Sequence, residues 1–216
     1  MAGQAPMTEG SSVTVFVMGD RLPWPDDLSV VDEVGPLDAG IVYGCGRDEQ
    51  CSIRKISTLG ATLCGELGKA PGEEVAIELV TGQRPSATID WVKCGETGIR
   101  FTQPVDVLAL INRKLVSQPV ERRIMPRVEL RCRVHMKYGG TLAIATMRNI
   151  SARGVQIEAD ELPPKGTYVS VFIEGLNIPP GEVVWTRGGL AGIELFEELS
   201  WSSLMPWIRG VVRKGE

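Results

Sequence analysis

Cations crowd the middle of the 216-residue chain: Arg113, Lys114, Arg122, Arg123, Arg127, Arg131 and Arg133 are opposed only by Glu121 and Glu129. A cluster of this kind either solvates a linker or binds an anion. Arginine suits the second task, because its planar fork of N–H donors meets acceptor oxygens in pairs. Twenty-one residues beyond Arg127 comes Arg148-Asn149-Ile-Ser151-Ala-Arg-Gly154. There Asn149 and Ser151 offer short polar groups, and Gly154 admits close backbone approach. On the bland reading Arg123 and Arg127 belong to a solvated linker, and Asn149 and Ser151 only cap a turn. Pro126 turns Met125 away from the helical region, so the arginine segment is expected to be extended rather than one helical face.

Other chemistries find little support. The one histidine, His135, has no recognisable acid or nucleophile partner. No P-loop, nucleophile elbow or metal-ligand set occurs, so neither an enzyme nor a cofactor is expected. Cys45, Cys51, Cys64, Cys94 and Cys132 form no CxxC pair; reduced, partly buried thiols are the expectation. No apolar run approaches the ~18 residues of a membrane span. Residues 1–12 are small and polar with no basic start, so a secretory leader is not expected. Residues 1–112 carry a net charge of −8 and residues 113–216 a net +4. The acidic first half, and the few aromatics near the cations, argue against DNA or single-stranded nucleic acid as partner.

The elements that must position these residues come in two copies. Ser57 and Ser151, Gly60 and Gly154, Gly72 and Gly166, Val75 and Val169, Trp91 and Trp185, and Gly98 and Gly192 are each 94 residues apart. One period through six anchors implies a repeated unit of about 90 residues. Three segments are expected: a flexible N-terminus at 1–12, a first unit at 13–117 and a second at 118–216. In the second unit Arg131 to Tyr138, Leu142 to Arg148, Val155 to Glu158, Tyr168 to Ile173, Val183 to Thr186 and Ala191 to Leu195 read as short strands between Gly- and Pro-bearing turns. The first unit opens on a strand-like Val13 to Met18, while residues 19–50 show no match in the second copy. Each unit ends in a helix-like stretch, Val105 to Val116 and Leu199 to Val212, the latter interrupted by Pro206. The fold class is mainly β: two closed barrels or sandwiches.

Arg123-Ile-Met-Pro-Arg127 is RxxxR, and the segment that follows contains NxSxxG. This pair resembles the signature of the PilZ family, RxxxR followed by [D/N]xSxxG. Gly181-Glu-Val-Val-Trp185, Gly192-Ile and the terminal helix resemble it too, so the likeness spans roughly residues 118–212. It implies two tandem six-stranded β-barrels, each followed by a C-terminal helix. It also implies a bacterial, cytoplasmic, non-catalytic receptor for cyclic di-GMP. The ligand-binding residues would be Arg122, Arg123 and Arg127 on a flexible segment entering the barrel, and Asn149, Ser151 and Gly154 on the barrel surface. Arginine forks can pair with guanine O6 and N7 or with phosphate, and can stack on the base. Where the family allows Asp or Asn, this chain has Asn149, which both donates and accepts but lacks charge. The output would pass to an unknown protein partner; an interaction scaffold that binds no nucleotide is the alternative reading.

The first copy departs further. At the same offset Arg123 falls on Ser29, Arg127 on Glu33 and Asn149 on Lys55; only Ser57 and Gly60 remain. A degenerate barrel that keeps the scaffold and loses the site is the expectation. Arg47, Arg54 and Lys55 are its only alternative basic patch, and Trp91, Gly98 and Phe101 are expected to be core and turn residues.

Overall fold

Short alternating segments pair into strands, and the two apolar stretches that end the repeats wind into helices. The computed structural model describes residues 13–24, 37–44, 47–65, 67–117 and 127–215. In chain order the first repeat holds β1 (Val15–Val17), β2 (Asp38–Gly44), β3 (Arg47–Ser57), β4 (Gly60–Cys64), β5 (Glu74–Leu79), β6 (Ser86–Lys93), β7 (Glu96–Phe101) and α1 (Val107–Ser117). The second holds β8 (Arg127–Tyr138), β9 (Thr141–Ile150), β10 (Gly154–Glu158), β11 (Tyr168–Phe172), β12 (Gly181–Arg187), β13 (Leu190–Leu195) and α2 (Trp201–Gly215).

Two rings of six strands result. One runs β3-β2-β5-β6-β7-β4, with β4 returning to β3; the other runs β8-β9-β10-β13-β12-β11, with β11 returning to β8. Closure leaves no open sheet edge within a ring. The protein is therefore mainly β, with closed six-stranded barrels each followed by a helix. The offset of 94 holds at both ends of β4 and β10 and of β7 and β13. It extends to the irregularities. The shift between Ile53 and Lys55 recurs at Met147 and Asn149, and the shift between Ile89 and Trp91 recurs at Val183 and Trp185. Even residues 19–50 carry an offset match, since β2 corresponds to the second half of β8.

Inward residues such as Ile53, Leu63, Ile77, Ile89 and Ile99 fill the first ring, and Val134, Met136, Met147, Ile157 and Val183 fill the second. The β6–β7 and β12–β13 hairpins close through Cys94–Gly95 and Gly188–Gly189, all four at positive φ. Two central residues at positive φ suit the right-handed twist of a two-residue hairpin. Asp106 caps α1, its carboxylate accepting from the Ala109 N–H at 2.9 Å. Helix α2 runs on through Pro206. The carbonyl that loses its partner there belongs to Ser202, and both residues are exposed, so water can satisfy it.

β1 is not the opening strand of the first barrel. It belongs to neither ring and lies parallel between β3 and β8, pairing Val15 with Lys55 and Arg127, and Val17 with Ser57 and Glu129. All three of its residues are buried, the continuous apolar pattern of a strand covered on both faces. One three-residue strap thus ties the rings into a single thirteen-stranded sheet.

Candidate functional site

Antiparallel register lines up polar residues on the outer side of the second ring. Glu129 on β8 opposes Asn149 on β9, Asn149 opposes Gln156 on β10, Gln156 opposes Gly192 on β13, and Gly192 opposes Trp185 on β12. Arg127, the first residue of β8, shares a face with Glu129 two residues on. Its guanidinium donates to Asn149 Oδ1 at 3.0 Å. Asn149 Nδ2 in turn donates to Gln156 Oε1. Arg127, Asn149 and Gln156 are only 9%, 6% and 4% exposed. The two halves of the split motif therefore meet in one buried hydrogen-bonded chain.

Arg127 sits in a strand and not on the flexible segment where the resemblance put it, because its backbone is held in register by Val15 of β1. Arg122 and Arg123 lie outside the described residues. Ser151 closes the β9–β10 turn: its N–H donates to Gly154 O at 2.9 Å and its hydroxyl to the same oxygen at 3.3 Å. A Cβ on Gly154 would stand 2.8 Å from Ile193 O on β13, so the missing side chain lets two backbones meet. That space is already taken by the barrel's own strand, and it was not visible in the sequence as a packing requirement.

The first ring repeats this row with different residues. Lys55, Thr62, Gly98 and Trp91 occupy the positions of Asn149, Gln156, Gly192 and Trp185. Ser57 and Gly60 make the same turn, with Ser57 Oγ donating to Gly60 O at 3.5 Å and accepting from the Leu59 N–H at 3.1 Å. Ser and Gly are thus common to both rings as turn residues, whereas the Arg–Asn pair belongs to the second alone. In the first ring the row is covered by the chain itself. Thr62 Oγ1 donates to Pro23 O at 2.6 Å, and Trp24 packs edge-on against Trp91 at 5.7 Å. Trp91 is therefore not a core residue. It and Trp185 lie half-buried over Gly98 and Gly192, where any Cβ would strike the indole.

The alternative basic patch does not form. Arg54 pairs with Glu96, and Lys55 reaches across to Glu129 Oε2 at 3.1 Å. Arg21 grips the other oxygen of Glu129 at 2.7 Å. Glu129 and Gln156 were missed by sequence reasoning. The signal for Gln156 was its place two residues past Gly154 on an alternating strand, which sets it on the face of Asn149. Burial pushes the Cys51 and Cys132 thiols up to about 11. Among the described residues no group of three or more His, Cys, Asp or Glu could hold a metal ion, and no helix is long and apolar enough to cross a membrane.

Residues 121–203 match the PilZ domain family, and this part of the chain is a PilZ domain. No curated protein matches the chain. Among solved structures it is similar to the PlzA protein of Borreliella burgdorferi in complex with c-di-GMP, at 13% identity and a TM-score of 0.32, covering 77% of this chain and 84% of that one. It is also similar to the Bacillus subtilis inhibitor of motility MotI/DgrA, at 15% identity and a TM-score of 0.31, covering 83% and 98%. A third similarity is to the K. pneumonia MrkH–c-di-GMP complex, at 12% identity and a TM-score of 0.28, covering 82% and 90%.

Proposed function

We propose that the PilZ domain at residues 121–203 makes this chain a non-catalytic receptor for cyclic di-GMP. Arg122, Arg123 and Arg127 supply the guanidinium donors; Asn149 and Ser151 form the polar rim, with Gly154 shaping the turn beneath them. The observation that carries this reading is the bond between Arg127 and Asn149, 22 residues apart in sequence and buried together. The first ring has Lys55 at the position of Asn149 and closes without an Arg–Asn pair there. A guanine edge or a phosphate supplies the acceptors that such donors require.

The arginine segment joins the two rings, and β8 begins where β1 straps them together. Ligand contacts that draw Arg127 away from Asn149 would bias how β8 meets β1, and so how one ring sits against the other. That bias is the signal we assign to a protein partner in the bacterial cytoplasm. The scaffold reading has one observation in its favour: Arg127 and Asn149 already satisfy each other, as a purely structural pair would.

Isothermal titration calorimetry with cyclic di-GMP separates the two. Arg127→Ala is expected to weaken binding by about 1.5–3 kcal/mol, the range of a hydrogen bond to a charged group. No binding heat in the parent protein would overturn the receptor reading and leave the scaffold.

A further inference from the structure

The buried chain Arg127–Asn149–Gln156 has a direction. Arginine has donors and no acceptor, so the Asn149 group facing it must be Oδ1. That leaves Nδ2 to face Gln156, and the Gln156 group receiving it must be Oε1. The carboxamide orientation is thereby set by the arginine two residues up the chain of bonds, and the terminal group left over is Gln156 Nε2. This nitrogen is buried and has no hydrogen-bond partner. A buried N–H group without an acceptor carries a standing penalty, which an acceptor arriving there removes.

We infer that Gln156 is a further ligand-recognition residue of this ring, and that its Nε2 selects guanine by donating to O6. The inference rests on the cyclic di-GMP reading above and adds a residue that lies in neither motif. Guanine presents two acceptors on that edge, O6 and N7, whereas adenine replaces O6 with an N6 donor. A donor held in place by Arg127 and Asn149 cannot turn its carboxamide to suit adenine without breaking its bond to Asn149. Thr62, the equivalent in the first ring, has its hydroxyl donor already engaged by Pro23 O.

The test is calorimetry on the full chain with cyclic di-GMP and cyclic di-AMP, for the parent, Gln156→Met, Gln156→Glu and Arg127→Ala. Gln156→Met keeps the bulk but removes both the Nε2 donor and the Oε1 that accepts from Asn149; cyclic di-GMP is expected to bind about tenfold more weakly, with cyclic di-AMP unchanged and the melting temperature lowered. Gln156→Glu keeps an acceptor for Asn149 but puts an acceptor where the unpaired donor stood, and is expected to weaken cyclic di-GMP further and narrow the guanine preference more. The inference is overturned, with the receptor reading intact, if Arg127→Ala weakens binding while both Gln156 variants keep the parent's affinity and preference. Equal losses for the two dinucleotides would assign the donor to a phosphate and overturn base selection. A parent that binds neither would overturn both readings together.

Discussion

Glu129→Ala should destabilise the whole protein far more than a surface ion-pair loss would. Its carboxylate is 11% exposed and holds Lys55 at 3.1 Å, itself 6% exposed, and Arg21 at 2.7 Å, which is 31% exposed. The Arg21 contact is the weaker contributor, because a side chain that open is partly screened by water. Lys55 is different: removing its carboxylate leaves a buried ammonium group on β3, and breaking one side of a buried pair costs about 3–5 kcal/mol. Removing both charges together takes that penalty away. Lys55→Met combined with Glu129→Ala should therefore recover most of the loss, with a coupling energy of about 2–3 kcal/mol in the double-mutant cycle. Lys55→Met alone should cost less than Glu129→Ala, since Arg21 still compensates the carboxylate. Urea unfolding at pH 7, followed by tryptophan fluorescence, reads all four proteins. A Glu129→Ala variant within about 1 kcal/mol of the parent, or a cycle with no coupling, would refute the claim that this triad joins the rings.

Gly154→Ala brings a Cβ to 2.8 Å from Ile193 O, a backbone atom that cannot swing aside; a loss of about 1–3 kcal/mol by thermal unfolding is expected. Gly140→Ala, where a Cβ meets nothing within 4 Å, is the control and should change little. Among the described thiols, exposed Cys94 should react quickly with a disulfide reagent at pH 8, while Cys51 and Cys132, pushed up to about 11 by burial, should wait for unfolding. Because the fold favours the neutral thiols, their contribution to stability is intact below the ordinary thiol pKa near ~8.5 and is lost as pH rises towards about 11. Urea midpoints measured between pH 7 and pH 11 give that slope.

What the sequence showed, and what it concealed, follow from the range of the interactions involved. Strand alternation, turns at Gly139, Gly166 and Gly188, and the 94-residue period are local or repeated signals, so β8 to β13 and both helices were legible. The motif residues Arg127 and Asn149 were legible as types, and their meeting follows from β8 and β9 being consecutive strands of one hairpin. The strap β1 was not: Val13 to Met18 reads as a strand, but nothing local says that both its edges will be occupied, one by each ring. β2 was hidden for a similar reason, because Asp38 to Gly44 keeps the position of its counterpart in β8 without keeping its residues. Glu129 shows the limit most clearly. In the sequence it is one acid diluting a basic run; in the fold it faces Lys55, the counterpart of Asn149 in the first ring. Lys55 occupies in the first ring the position that Asn149 holds in the second, and there it pairs with Glu129 of the other ring. Because the two residues are 74 apart in the chain, only the register of β3, β1 and β8 brings them together.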